Sequence, residues 1–206
     1  SSINNEFSIL VDDPYNAKKP NKHTVFESKM SEEKHKKPRR ADAPCYINLL
    51  GIRRGMYLGN LSCVNNKTIE KLGIDIVINF SKVESIPKHN YYGRSKIPSD
   101  TSYDQYYGYN MPFDDTRKMS SKKFKNILTK FVTLVNDFKD KNILICCDKG
   151  VNRSVAMAIG YSILMNKLNY TKALEYIEGQ KAMVDDTWAS LNNLCFAHIL
   201  QYTLTP

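Results

Sequence analysis

No run of about 18 apolar residues, the length a helix needs to cross a bilayer, occurs in this chain, so no spanning helix is predicted. The secretory pattern of basic start, apolar stretch and small-residue cleavage site is also missing. Cysteine is scarce: five in 206 residues, two of them adjacent, which is no disulfide framework. A reducing, cytoplasmic compartment is the reading this favours. His and Asp do not cluster at metal-ligand spacing, so neither a metal nor another cofactor is expected. Acidic residues are in short supply, 21 against 30 Lys and Arg, for a net charge of +9.

That basic excess is uneven. Residues 1–44 carry nine basic and seven acidic side chains, and residues 141–206 carry six and five. Residues 45–140 carry fifteen and nine. The body rather than either end thus holds most of the charge, which fits phosphorylated or otherwise acidic partners and equally a solvated Lys-rich surface. Residues 1–44 are polar and lack sustained periodicity. They are expected to form a disordered or extended arm. Its basic cluster around Lys36–Arg40 serves as a plain linker or as a nuclear-import or docking signal. Residues 45–206 form one domain.

Within that domain, apolar runs alternate with helical stripes. Met56 and Leu58 mark one face of a strand, residues 65–72 a helix, and the β-branched run Ile74–Phe80 a buried parallel strand. Residues 82–106 suggest an irregular excursion with a strand near Tyr91. Tyr107–Phe113 reads as a further strand. Phe124, Ile127, Leu128, Phe131, Leu134, Val135 and Phe138 recur at three- and four-residue steps behind a Ser120 or Ser121 cap. Asn142–Cys146 is the central strand, and a helix follows from Ser154. Thr171 is expected to cap a shorter helix ending near Gly179, and Asp186 or Thr187 the last one. The pattern predicts an α/β fold with a central, mainly parallel twisted sheet flanked by helices.

The chemistry concentrates in Cys147-Asp148-Lys149-Gly150-Val151-Asn152-Arg153-Ser154. Cysteine reacts as its thiolate, which needs nearby positive potential to form near neutrality. A loop that opens a helix supplies this through backbone N–H groups and the helix dipole. Five residues between Cys147 and Arg153 are enough to wrap one tetrahedral anion. Gly150 admits close backbone approach, and Arg153 grips two oxygens with its planar fork. A nucleophile at the floor of an anion cradle suits phosphoryl transfer to sulfur. The alkoxide or phenoxide released needs a proton, and Asp114 or Asp115 on the preceding loop can supply it. Either could instead cap the next helix.

These residues match the Cys-x5-Arg-Ser signature of cysteine-dependent protein phosphatases. The chain resembles the small dual-specificity branch over roughly residues 45–203. Its Gly-Val-Asn-Arg-Ser wording is similar to the poxvirus members. The resemblance implies that Cys147 is the nucleophile and that Ser154 hydrogen-bonds its sulfur. It implies phosphate binding by the loop from Asp148 to Asn152 together with Arg153, and a general acid at Asp115, with Asp114 the alternate. Asn79 would brace the loop. Phosphoprotein hydrolysis through a cysteinyl phosphate is the activity implied, without metal or membrane. The family has His at the place of Cys146, and a thiol there implies a less rigid loop and weaker catalysis. Two other readings remain: a phosphate-binding pseudophosphatase, and an RNA 5′-phosphatase, favoured by Asn152 before Arg153 and disfavoured by Asp115. Nuclear residence is compatible with the basic arm.

Overall fold

The computed structural model describes residues 39–82 and 106–204; the expectations for residues 1–38 and for a strand near Tyr91 lie outside them. Five strands form one sheet in the order β1-β2-β5-β3-β4. They are β1 (Tyr46–Asn48), β2 (Met56–Asn60), β3 (Ile76–Asn79), β4 (Tyr107–Asn110) and β5 (Ile143–Cys147). Only β1 runs antiparallel, against β2; β2, β5, β3 and β4 are parallel. The mainly parallel α/β fold is therefore observed, with β5 in the middle.

Side chains alternate across the sheet with period two. Met56, Leu58, Ile76, Ile78, Ile143, Ile145 and Cys147 face the larger core, and Val77, Leu144 and Cys146 face the smaller one. The smaller core is covered by helix α1 (Asn66–Leu72), through Ile69. The larger is covered by α2 (Ser121–Asp137), α3 (Arg153–Asn166), α4 (Tyr170–Val184) and α5 (Leu194–Tyr202). The stripe on α2 buries Phe124, Leu128, Phe131 and Val135. Ser120 caps that helix through Lys123 N–H at 3.1 Å. Asp114 and Asp115 lie upstream and do not cap it. Helix α3 is buried continuously from Arg153 to Ile163, as expected of a helix apolar nearly all round.

Several boundaries differ from the sequence reading, β3 among them, which spans Ile76–Asn79 rather than Ile74–Phe80. The strand expected to reach Phe113 stops at Asn110, because Pro112 has no N–H for a ladder. The central strand extends one residue further, to Cys147. Asn169, not Thr171, caps α4, which runs on past Gly179 to Val184. Asn193, not Asp186 or Thr187, caps α5 through Phe196 N–H at 3.1 Å. Residues 185–193 form an irregular crossing that lies against the loop after β5. The N-terminal side is tied to the same crossing. Arg39 N–H donates to Thr187 Oγ1 at 3.1 Å, and its Nε sits 3.4 Å from Asp185 Oδ2, an ion pair without hydrogen-bond alignment.

Candidate active site

Strand β5 delivers Cys147 to the carboxyl edge of the sheet, where ligands of parallel sheets bind. Residues 148–152 turn back over that edge before α3 begins. Gly150 makes the turn possible: its φ is +66°, in the left-handed region. A Cβ there would lie 2.8 Å from Trp188 Cζ2 and 3.1 Å from the Gly59 carbonyl carbon. Asn152 stands at the α3 cap position but makes no side-chain cap bond. The first N–H groups of α3 are thus not covered by it.

The cavity above the loop holds about 490 Å³ and is lined by Asp115, Cys147, Asp148, Lys149, Val151, Asn152, Arg153, Ala189 and Asn192. Cys147 Sγ lies 3.2 Å from Ser154 Oγ, with the cysteine buried at the cavity floor. Arg153 is held at both ends of its fork. Nη1 donates to the Phe113 carbonyl at 3.2 Å and Nη2 to Asp148 Oδ2 at 2.9 Å. Asp148 Oδ1 in turn accepts from Ser81 Oγ at 2.6 Å, and Ser81 N–H donates to Asn79 Oδ1 at 2.8 Å. Asn79 therefore reaches the loop through Ser81 and Asp148.

The two candidate acids separate. Asp114 is exposed and paired with Lys82 Nζ at 2.8 Å. That hydrogen bond, with the ammonium charge, holds its carboxyl below the usual range. Asp115 turns into the cavity, where Asn152 Nδ2 donates to its Oδ2 at 2.9 Å and Asn193 Nδ2 to its Oδ1 at 2.6 Å. Cys146 is wholly buried, and burial pushes its thiol well above the usual value. Its thiol lies 4.0 Å from Asn79 Oδ1, a weak contact.

Several residues around the loop were not singled out from sequence. Trp188 Nε1 donates to the Lys149 carbonyl at 3.2 Å, and its ring lies between Arg39 and Lys181, at 5.5 and 5.3 Å. Lys181 is buried and donates to the Ala189 carbonyl at 2.6 Å while pairing with Glu178 at 3.3 Å. Burial lowers the Lys181 pKa, and Glu178 works against that. The cap preference of Asn193 was the one sequence signal that could have located this crossing. Among the described residues, no group of three or more His, Cys, Asp or Glu could hold a metal ion. No helix among them is long and apolar enough to cross a membrane.

A central strand that hands a buried cysteine to a helix-opening loop, beneath an arginine, defines the cysteine-phosphatase fold. The family model for the dual specificity phosphatase catalytic domain matches residues 56–198, and the chain belongs to that family. Solved structures share the fold. A mouse putative dual specificity phosphatase complexed with zinc tungstate is 15% identical, with a TM-score of 0.53, over 81% of this chain and 90% of that one. The Cydia pomonella PTP-2 phosphatase is 16% identical, TM-score 0.53, over 76% and 88%. A human tyrosine phosphatase-like serine/threonine/tyrosine-interacting protein is 19% identical, TM-score 0.51, over 72% and 90%. No curated protein matches the sequence.

Proposed function

We propose that this chain is an active dual-specificity protein phosphatase that hydrolyses phosphotyrosine and phosphoserine/threonine through a cysteinyl phosphate. The observation that carries the reading is the joint presence of Cys147, Arg153 and Asp115 around one cavity, with Ser154 Oγ 3.2 Å from the sulfur. In this reading the Cys147 thiolate attacks phosphorus and an S–P bond forms. The P–O bond breaks, and its electron pair goes to the leaving oxygen, which takes the Asp115 proton. Loop N–H groups and Arg153 stabilise charge on the equatorial oxygens. Water then attacks phosphorus, giving a proton to Asp115, and the S–P pair returns to sulfur. Ser154 stabilises that sulfur by a hydrogen bond. The catalytic unit is residues 45–206, acting on a phosphorylated protein in a reducing compartment. The Gly-Val-Asn-Arg-Ser wording supports placing it near the poxvirus-like branch.

A second reading, a phosphate-binding pseudophosphatase, is favoured by one observation. Asp148 brings a carboxylate against Arg153 at 2.9 Å, so an acidic group shares the guanidinium intended for phosphate. Asp115 in the cavity weighs against an RNA 5′-phosphatase. The test is metal-free turnover of 4-nitrophenyl phosphate. Cys147→Ser should abolish it, and Asp115→Ala should lower it about 10²-fold or more, the usual weight of a general acid. Phosphopeptides should be cleaved in preference to 5′-triphosphorylated RNA. Wild-type turnover no higher than that of folded Cys147→Ser would leave the binding module as the correct reading.

A further inference from the structure

Asn152, the residue before Arg153, is buried, and its carboxamide makes four hydrogen bonds, the full capacity of the group. Its Oδ1 accepts from the N–H groups of Asn192 and Asn193, at 2.9 and 3.0 Å. Its Nδ2 donates to Asn192 Oδ1 at 2.8 Å and to Asp115 Oδ2 at 2.9 Å. Two backbone donors fix the oxygen side, so the nitrogen side has to face Asp115. From the opposite flank, Asn193 Nδ2 donates to Asp115 Oδ1 at 2.6 Å and to the Thr116 carbonyl at 3.0 Å. The other end of Asn193 caps α5 through Phe196 N–H. Each Asp115 oxygen is thus held by one amide, and the two amides come from different elements.

This arrangement has a directional consequence. An amide –NH₂ donates but does not accept. A proton on Asp115 finds no acceptor in either Nδ2, and the open direction is the cavity. Asp115 is otherwise an exposed side chain on a loop, free to change rotamer. The two amides remove that freedom and fix the acid relative to the phosphate loop, because Asn152 is part of that loop.

We propose that Asn152 and Asn193 are positioning residues that clamp Asp115 over Cys147, and that this clamp sets how well substrates with weakly acidic leaving groups are turned over. The proposal rests on the reading of Asp115 as general acid. Asn152→Asp and Asn193→Asp test it in the full chain. Both keep the size and the acceptor oxygen, and replace the donor by a carboxylate oxygen that also adds a negative charge beside Asp115. Asn193→Asp also keeps the α5 cap, since Asp caps as well as Asn. Poor leaving groups depend most on the acid, so kcat for phenyl phosphate should fall about tenfold further than kcat for 4-nitrophenyl phosphate, with KM nearly unchanged. Asp115→Asn should show the same bias, and adding Asn152→Asp to it should add none. Equal losses on both substrates in both asparagine variants, with Asp115→Asn still discriminating, would overturn the clamp and leave the acid in place. An Asp115→Asn enzyme without bias would overturn the acid reading, and the clamp with it. Thermal melts identify a variant that fails to fold, and Asn193→Asp carries the test if Asn152→Asp does.

Discussion

Alternation along β5 sends Cys146 and Cys147 to opposite faces of the sheet. Cys146 packs with Cys63, Ile69 and Leu144, and its buried thiol stays neutral. It adds no charge beside Cys147. Two other contacts brace the loop. Ser81 holds Asp148 from one side, and Trp188 holds the Lys149 carbonyl from the other. Gly150 sits between Gly59 and Trp188 with no room for a side chain. Gly150→Ala therefore combines a left-handed backbone penalty of about 1–2 kcal/mol with a clash against Trp188. It should lower stability by at least that amount in urea titration and cut turnover. A loss under about 0.5 kcal/mol would mean that the loop has slack.

At the scale of elements, legibility followed periodicity. Strand β5 and helix α2 were readable because each buries a regular set of side chains: an apolar run in one, a three-and-four stripe in the other. Helix α4 was misread because Gly179 and the favourable cap Thr171 suggested a short element. Tertiary packing overrode that cost of about 1 kcal/mol for an interior glycine. Ala173, Tyr176 and Ile177 bury on one side, and Lys181, two residues beyond Gly179, reaches the Ala189 carbonyl. Asp186 and Thr187 looked like a cap, but the bonding is local. Asp185 accepts from Thr187 N–H at 2.9 Å and from its hydroxyl at 2.6 Å, closing a turn rather than starting a helix. Of the site, the loop from Cys147 to Ser154 was legible because its residues are contiguous in sequence, and the two candidate acids only through the resemblance that places one on the loop about 30 residues upstream. The amides of Asn192 and Asn193 and the Trp188 brace were not. They approach from about 40 residues away, and nothing local marks such a contact.

Across the whole molecule, buried thiols set the alkaline limit of stability. Burial pushes Cys45 up to about 11, against a nearby Arg39 that pulls it down. Cys63 and Cys146 are also raised by burial. In the unfolded chain these thiols ionise around the ordinary value of 9.0. Above it the unfolded state holds fewer protons than the folded one, so stability falls as pH rises from about 9 towards about 11. Lys181 has the opposite sign: its burial penalty is present at neutral pH and is relieved as pH rises towards 10.5. Burial raises Tyr161 and Tyr170 as well, so three thiols and two phenols against one amine make the net slope downward. The urea midpoint should be lower at about pH 10 than at about pH 8, and Cys45→Ala should shrink the difference. A midpoint that is flat or rises with pH would contradict this balance.

Trp188 is the only tryptophan in the chain. Its indole N–H is bonded to the phosphate loop, and its ring faces two cations. The protein therefore carries an intrinsic optical probe against the loop that follows β5, free of background from any second indole. Titration with tungstate or inorganic phosphate should change the intensity or wavelength of tryptophan emission, saturating with oxyanion concentration. Arg153→Ala should abolish the change. An emission spectrum indifferent to oxyanion would show that loop and indole do not report on each other. With the expected response, occupancy of the cradle can be followed in real time without a label.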